Sequence, residues 1–345
     1  MNSLVNFIIV VITLVISSWK ANGQATLHFD VVVAQDGSGH FTTITDAINA
    51  IPSKSSNRTY IKIKASHYNE TIFIGVEKTN ITIVGDGRDN TIISGNKSNA
   101  GGFHTFETAT FAIDGDGFVA QDMTIQNTAG PESGQAVALR SQSNFCVFYR
   151  CKIVGYQDTL LANQGSQFFR ECDIYGTVDF IFSHAKVIFQ NCNIYGQRPL
   201  KGQSITITAQ NRDPATGDSG TVIHNCTISA TPDRRASGFP VKMYLGRPWS
   251  NYSTTIVMQS TLDKLIDPMG WLDWDGRSLL GTISYAEYNN RGPGANMSDR
   301  VHWKGYKVMR SYEEATEFTV RKFINGDTWI PLTGVPYEPD LIKNM

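Results

Sequence analysis

The stretch Phe168-Phe-Arg-Glu-Cys-Asp-Ile-Tyr175 recurs further along the chain as Ile188-Phe-Gln-Asn-Cys-Asn-Ile-Tyr195. In both, an apolar pair is followed by two residues, a cysteine, one further residue and isoleucine. The same template fits Phe118–Gln126, Val147–Val154 and Val222–Ser229, with an aspartate in the cysteine position of the first. Such short strands cannot each bury a face alone, but stacked coil on coil they form a continuous core. The repeat predicts an all-β parallel β-helix.

The repeat period separates this prediction from an antiparallel sandwich. A sandwich would show hairpin turns about every 8–12 residues, and Asp86-Gly87 and Asp275-Gly276 could be two of them. The template cysteines instead stand at positions 151, 172 and 192, almost evenly spaced, and a wider gap before position 226 implies an inserted loop. A period of roughly 20 residues lies in the range of solenoid repeats and explains more of the sequence than hairpins do.

The N-terminus has the features of a secretion signal. Leu4–Ile16 is a short apolar run, too short to span a bilayer, and Ala21-Asn22-Gly23 resembles a cleavage site. Because no Lys or Arg precedes the run, an uncleaved membrane anchor is the alternative. We predict a signal peptide over residues 1–23 and a single domain over residues 24–345. Seven glycosylation sequons agree with secretion: Asn57, Asn69, Asn80, Asn96, Asn225, Asn251 and Asn296.

Two segments predict short helices that cover the solenoid. Thr43–Ala50 begins with a capping pattern of Thr43 and Asp46. Ser311–Glu314 repeats that pattern before a segment over residues 315–324. Open solenoid ends need covering, so we expect these helices to close or flank the stack.

Chemistry concentrates in three blocks about one repeat apart: Gln135–Arg140, Gly155–Leu160 and Gly176–Phe182. Gln135, Gln157 and Asp179 recur at equal intervals that match this repeat, and Asp158 adjoins Gln157. On neighbouring coils of a solenoid such residues would stack roughly 4.8 Å apart on one face. Two carboxylates and two carboxamides on one patch indicate a hydrolytic site.

These blocks resemble the signature motifs of the plant pectinesterases, or pectin methylesterases. The resemblance extends from about Val31 to Pro336 and includes Ala129–Pro131, Leu245–Trp249 and Gly270-Trp271. It implies a right-handed, single-stranded parallel β-helix that removes methyl groups from the galacturonate esters of pectin in the cell wall. It also implies the form without the N-terminal inhibitor-like region, because the resemblance begins soon after the predicted signal.

The resemblance assigns the catalytic roles. Asp179 matches the family nucleophile, which forms an acyl-enzyme anhydride, and Asp158 matches the acid/base. Neighbouring carboxylates resist simultaneous ionisation, so one is expected protonated and the other charged. Arg247 occupies the position that pairs with the nucleophile and would favour its ionised form. The amides of Gln135 and Gln157 could donate to the developing oxyanion.

Further contacts follow from the same resemblance. Trp249 is expected to be a sugar-stacking platform, and Gln135 and Arg247 also fall on the substrate side. Other positions match substrate contacts in relatives: Thr105, Val178 and Phe182.

The resemblance also suggests a disulfide between Cys172 and Cys192, although a ladder of buried thiols is the alternative. Rung spacing falls within the Cα range of a disulfide, and an odd total of five cysteines leaves at least one unpaired. The chain departs from the family after the third block, where Ser183 and His184 replace residues that are usually Gly and Asn.

Other functions receive less support. Polygalacturonases of this fold use Gly-His-Gly and Arg-Ile-Lys motifs, and the sequence contains neither. No ligand spacing indicates a metal or cofactor, no Gly-x-Ser-x-Gly elbow indicates a serine esterase, and a net charge of −1 does not favour nucleic acid or membrane binding. A non-catalytic wall-binding homologue would be expected to lack Asp158, Asp179 or Arg247. We expect a monomer that acts on pectin and can meet a proteinaceous inhibitor.

Overall fold

A computed structural model describes residues 28–215, 217–235, 238–276 and 279–343; the predicted signal peptide lies outside them. These residues form three parallel sheets wound into a parallel β-helix, as the repeat predicts. No helix in this part of the chain is long and apolar enough to cross a membrane. The α-helices are α1 Ile44–Ala50, α2 Pro232–Arg235, α3 Tyr312–Thr316 and α4 Val320–Phe323. The 3₁₀ helices are Thr105–Thr108, Pro131–Ser133, Pro293–Ala295, Gly326–Thr328 and Ile330–Thr333.

The strands are short and follow the coil period. In chain order they are β1 Val31–Val33, β2 Thr59–Ile63, β3 Ser66–Asn69, β4 Ile72–Ile74, β5 Ile81–Val84, β6 Thr91–Gly95, β7 Phe111–Ile113, β8 Val119–Gln121, β9 Thr124–Asn127, β10 Leu139–Ser141, β11 Cys146–Tyr149, β12 Lys152–Val154, β13 Leu160–Ala162, β14 Ser166–Arg170, β15 Asp173–Gly176, β16 Ile181–Ser183, β17 Lys186–Gln190, β18 Asn193–Gly196, β19 Ile205–Gln210, β20 Gly220–His224, β21 Thr227–Ala230, β22 Met243–Pro248, β23 Thr254–Met258, β24 Thr261–Leu262, β25 Ser284–Tyr288 and β26 Tyr306–Val308.

Each central coil contributes one strand to each of three sheets, and the coils at the two ends extend sheet A alone. Sheet A has the order β1-β2-β5-β8-β11-β14-β17-β20-β23-β25-β26, sheet B β24-β21-β18-β15-β12-β9-β6-β3, and sheet C β22-β19-β16-β13-β10-β7-β4. Neighbouring strands of the described coils are parallel, which excludes the sandwich.

The repeated template is the bend from sheet A to sheet B. Arg150, Glu171 and Asn191 have φ of 51°, 55° and 56°, so a single left-handed residue turns the chain between the two strands. The template placed Asp122 in register with the cysteines, and this is wrong by one residue. Asp122 takes the left-handed position itself, with φ 57°, and Met123 occupies the buried position that the cysteines fill in later coils.

The predicted disulfide between Cys172 and Cys192 is not formed. All five cysteines lie within the described residues and are buried and free. The thiol of Cys172 donates to the carbonyl of Phe148 (3.3 Å), and that of Cys192 to the carbonyl of Phe169 (3.5 Å). Because each thiol is satisfied by a backbone oxygen, these cysteines form a ladder of core residues.

The two ends of the chain are covered in different ways. Helix α1 packs its apolar face into the interior core at the first coils, and Glu70 accepts hydrogen bonds from the backbone N–H groups of Ile44 and Thr45 at its start. The C-terminal segment over residues 315–324 is not one helix, because Thr319 caps a new helix, α4. Helices α3 and α4 pack against the outer face of sheet A, so they flank the stack.

The interior core contains an aromatic ladder whose removal should be costly. Phe169 stacks between Phe148 and Phe189 with centroid distances of 4.7 Å on both sides, and it is fully buried. We expect Phe169→Ala to lower the free energy of unfolding by about 3–5 kcal/mol, as measured by chemical denaturation. Leu332→Ala is the control, since Leu332 is 77% exposed. Similar losses for the two variants would contradict a core held by this ladder.

Candidate active site

The two candidate aspartates occupy equivalent positions on successive coils. Asp158 and Asp179 each lie two residues before strands of sheet C, and Leu160 of the first strand pairs with Ile181 of the second. Both have a left-handed backbone, with φ of 59° and 51°. Such a conformation is uncommon for residues other than glycine and is found at functional sites. The coil repeat thus presents both carboxyl groups at one edge of sheet C.

Arg247 reaches the second aspartate from two coils away. In register, Arg247 pairs with Ala209, which pairs with Phe182 on the strand that follows Asp179. Arg247 donates from Nε to Oδ1 of Asp179 (2.8 Å) and from an Nη to Oδ2 (2.6 Å). The methyl side chain of Ala209 leaves room for the guanidinium between the coils. This bidentate, charge-assisted pair fixes the plane of the Asp179 carboxylate.

Two residues that sequence reasoning missed support this pair. The Thr206 hydroxyl donates to Oδ1 of Asp179 (2.7 Å) and accepts from the Asp179 backbone N–H (2.8 Å). Trp274 lies against Arg247, with the guanidinium carbon 3.9 Å from the ring centroid. Thr206 lies one coil after Asp179, in register with it. The repeat did not predict this because that coil is longer than the others. No signal in the sequence placed Trp274 here.

Asp158 lies beside this pair in a different electrostatic environment. Burial raises the pKa of Asp158 well above its ordinary range, and the neighbouring Asp179 carboxylate raises it further, whereas Arg247 opposes the shift. Arg247 already pairs with Asp179 through both oxygens of that carboxylate. The site therefore holds the Asp179 carboxylate, which is paired with Arg247, and the Asp158 carboxyl group, which favours its protonated form.

A cavity of about 380 Å³ contains both aspartates. Most of the predicted site residues line it, together with Phe106, Leu161, Asn163, His184 and Trp274; the predicted ones are Thr105, Gln135, Gln157, Asp158, Asp179, Phe182, Arg247 and Trp249. Val178 is not among the lining residues, and its carbonyl instead accepts from the Asp158 backbone N–H (3.0 Å). Phe106 was also missed; it covers Arg140, whose guanidinium carbon lies 3.8 Å from the ring centroid.

The two departures from the family pattern have different environments. Ser183 is buried, and its hydroxyl lies 2.6 Å from that of Thr221, so it packs inside the coil. His184 lines the cavity with its ring centroid 4.9 Å from that of Trp249. Among the residues described, no group of three or more His, Cys, Asp or Glu side chains could hold a metal ion.

The fold and the paired aspartates define a parallel β-helix protein with a carboxylate-based candidate active site. The family model named Pectinesterase matches residues 30–327. This chain belongs to the pectinesterase family.

Individual relatives agree with this assignment. The chain is 49% identical to "Pectinesterase 2" of Citrus sinensis over 92% of its own length, and 50% identical to a pectinesterase/pectinesterase inhibitor of Prunus persica over 89%. It spans 62% and 59% of the lengths of these two proteins. The solved structure of a pectin methylesterase from carrot superposes with a TM-score of 0.90 at 46% identity, covering 92% of this chain and 99% of that one.

The environment of Asp158 makes a prediction about stability. A raised pKa in the folded state means that Asp158 stabilises the fold only while protonated, and this contribution is lost as the pH rises through the folded-state pKa. Asp158→Asn should therefore raise the free energy of unfolding on the order of 1 kcal/mol at about pH 7. The gain should shrink as the pH falls through the raised folded-state pKa and should be absent below the ordinary Asp value of about 3.9.

Denaturant titrations at several pH values measure this difference. Asp173→Asn is the control, because Asp173 makes an ion pair with Arg88 (2.9 Å) and should give no gain. A loss of stability in Asp158→Asn at neutral pH would show that the carboxyl group is not held in an unfavourable site.

Proposed function

We propose that this protein is a pectinesterase that hydrolyses methyl esters of galacturonate in pectin to demethylated pectin and methanol. The observation that carries the proposal is the Arg247-paired carboxylate of Asp179 beside a carboxyl group, Asp158, that favours protonation. Family membership supports the substrate class. A pectin methylesterase that is 25% identical, with a TM-score of 0.70, was solved in complex with a hexasaccharide.

Acylation uses the two aspartates in opposite protonation states. An oxygen of Asp179 attacks the carbonyl carbon of the methyl ester and forms a tetrahedral intermediate. As the carbon–oxygen bond to the methoxy group breaks, Asp158 gives its proton to the departing oxygen, and methanol leaves. The product is an anhydride between Asp179 and the galacturonate carbonyl. Arg247 holds the attacking carboxylate in one plane, which favours attack from one direction.

Deacylation reverses the roles of Asp158. The carboxylate of Asp158 takes a proton from a water molecule, whose oxygen attacks the galacturonate carbonyl of the anhydride. The Asp179 carboxylate leaves and regains its bonds to Arg247, and Asp158 is protonated again for the next cycle. Gln135 and Gln157 line the same cavity, and their amide groups would donate to the oxyanion in both steps.

Substrate binding is assigned to the rim of the cavity. Trp249 is 41% exposed and offers an aromatic face to a sugar ring. Phe182 packs against it with a centroid distance of 6.1 Å, and Thr105 lines the same cavity from the 3₁₀ helix Thr105–Thr108. These residues would hold the polymer while one ester lies over Asp179.

Secretion to the cell wall and glycosylation form part of the proposal. The amide of Asn80 donates to the Ser55 carbonyl and that of Asn225 to Asn191, so we do not expect glycan at these two sequons. We expect a monomer and propose an inhibitor protein as one class of partner. The exposed sequons, where glycan is expected, are Asn57, Asn69, Asn96, Asn251 and Asn296.

Methanol release from highly methylated pectin tests the proposed function. The secreted, purified protein should release methanol with a chelator present and should not shorten the polymer. Asp179→Asn should lose activity by a factor on the order of 10⁴ or more, because the nucleophile is removed. Asp173→Asn is the matched control, since Asp173 lies on sheet B away from the cavity.

The possible failures can be told apart. Full activity in Asp179→Asn would contradict the nucleophile assignment. An absence of methanol with the unaltered protein, together with retained pectin binding, would favour a non-catalytic wall-binding role. Chain cleavage without methanol would instead indicate a different β-helix polysaccharide enzyme.

A further inference from the structure

Two arginines flank an apolar row on the outward face of sheet C. In register, Arg140 pairs with Leu161, which pairs with Phe182. The row continues through Ala209 to Arg247. Leu161 and Phe182 line the catalytic cavity. Arg140 therefore lies one strand, roughly 4.8 Å, beyond these lining residues on the side of the N-terminal coils.

Each arginine is covered by an aromatic ring from outside the repeat. The guanidinium carbon of Arg247 lies 3.9 Å from the ring centroid of Trp274, and that of Arg140 lies 3.8 Å from the ring centroid of Phe106. Both rings line the catalytic cavity. Phe106 is 44% exposed, so one face of its ring is covered by Arg140 while much of the rest is open. Phe106 thus offers an aromatic surface to the cavity in addition to Trp249.

The backbone and the ring of Phe106 are held by different groups. Phe106 belongs to the 3₁₀ helix Thr105–Thr108, whose last residue is anchored: the hydroxyl of Thr108 accepts from the backbone N–H of Val137 (2.9 Å). This bond fixes the chain but does not restrict rotation of the ring about its side-chain bonds. The flat guanidinium of Arg140 against one face of the ring does restrict that rotation.

Arg140 is a poor choice of residue for stability alone. It is 4% exposed, and its Nε and Nη1 have no hydrogen-bond partner among the described residues. Nη1 lies 3.0 Å from Oδ1 of Asp114, an ion pair without the geometry of a hydrogen bond. Buried N–H groups without acceptors are destabilising, and an apolar side chain of similar size would avoid them. An apolar side chain could not, however, place a flat cation against Phe106.

We propose that Arg140 is a positioning residue for pectin binding: its guanidinium holds the ring of Phe106 in the orientation that receives a sugar ring of the polymer. This inference rests on the proposed function for its substrate. Strand β16, which follows Asp179, lies between the strand of Arg140 and the strand that precedes Trp249 in the order of sheet C. The rings of Phe106 and Trp249 then hold the polymer on either side of the ester.

Steady-state kinetics separate this role from a structural one. Arg140→Met keeps a long side chain but removes the cation. The KM for methylated pectin should rise about threefold to tenfold, the range expected for losing one cation–π contact, while kcat changes by less than about twofold. Asp114→Asn is the matched control, because it removes the ion pair and keeps the stack, and it should keep the KM. An unchanged KM in Arg140→Met, or an equal rise in Asp114→Asn, would overturn the proposal.

A double-mutant cycle tests the coupling between Arg140 and Phe106. Phe106→Ala should raise the KM, and adding Arg140→Met should raise it no further, because the ring to be positioned is gone. Rises that multiply would overturn the inference. Arg140→Met alone leaves Asp114 without its cation; if that variant does not fold, Arg140→Met combined with Asp114→Asn removes both charges and allows the same comparison.

Binding measured without turnover distinguishes a failure of this inference from a failure of the proposed function. In Asp179→Asn, calorimetry with a methylated oligogalacturonide should give a Kd that Arg140→Met weakens about threefold to tenfold. If the unaltered protein releases no methanol, the proposed function fails, but this Kd still tests the stack. Equal Kd values with and without Arg140→Met, or no binding of the oligosaccharide, would overturn the inference.

Discussion

In-register parallel stacking is the constraint on which the rest of this molecule depends. Because Leu160 pairs with Ile181, the residues two positions earlier, Asp158 and Asp179, reach the same edge of sheet C on adjacent coils. The same register places Arg247 two coils from Asp179 with only the small Ala209 between them. No loop has to fold over the site to bring these three side chains together. Loss of one register would separate all of them at once.

This fixed spacing gives the carboxyl groups of Asp158 and Asp179 different electrostatic environments. One cation faces two carboxyl groups, and its planar fork is bound to both oxygens of Asp179. Thr206 adds a third hydrogen bond to that carboxylate and receives one from its backbone, so the position of Asp179 is fixed from two other coils. Asp158 is left to burial and to the repulsion of its neighbour, which both favour the proton. One residue type thus supplies a paired carboxylate and a carboxyl group that favours its proton, as the proposed acid and nucleophile roles require.

Much of this arrangement could be predicted from the sequence, because a solenoid converts spacing along the chain into neighbourhood in space. The β-helix followed from the evenly spaced template, and most of the residues that line the cavity followed from the family motifs. The one-residue register error at Asp122 arose because the template matched this aspartate with the cysteines of later coils. Asp122 instead occupies the left-handed bend, where the later coils have Arg, Glu or Asn.

Other features could not be read from spacing. Thr206 follows Asp179 at a longer interval than the repeat, since an insertion lengthens that coil, and Phe106 and Trp274 enter the cavity from segments outside the repeat. The spacing of Cys172 and Cys192 was compatible with a disulfide or with free thiols. The thiols are free, and each donates to a backbone carbonyl that the spacing does not reveal.

The central claim is that one of two adjoining carboxyl groups is protonated at a pH where ordinary aspartates are charged. Carbon-13 NMR of protein labelled at the aspartate carboxyl carbons measures this directly. We predict one resonance whose midpoint lies well above the ordinary aspartate value of about 3.9 and which disappears in Asp158→Asn. If every aspartate of the unaltered protein titrates in the ordinary range, the division of Asp158 and Asp179 into acid and nucleophile is contradicted.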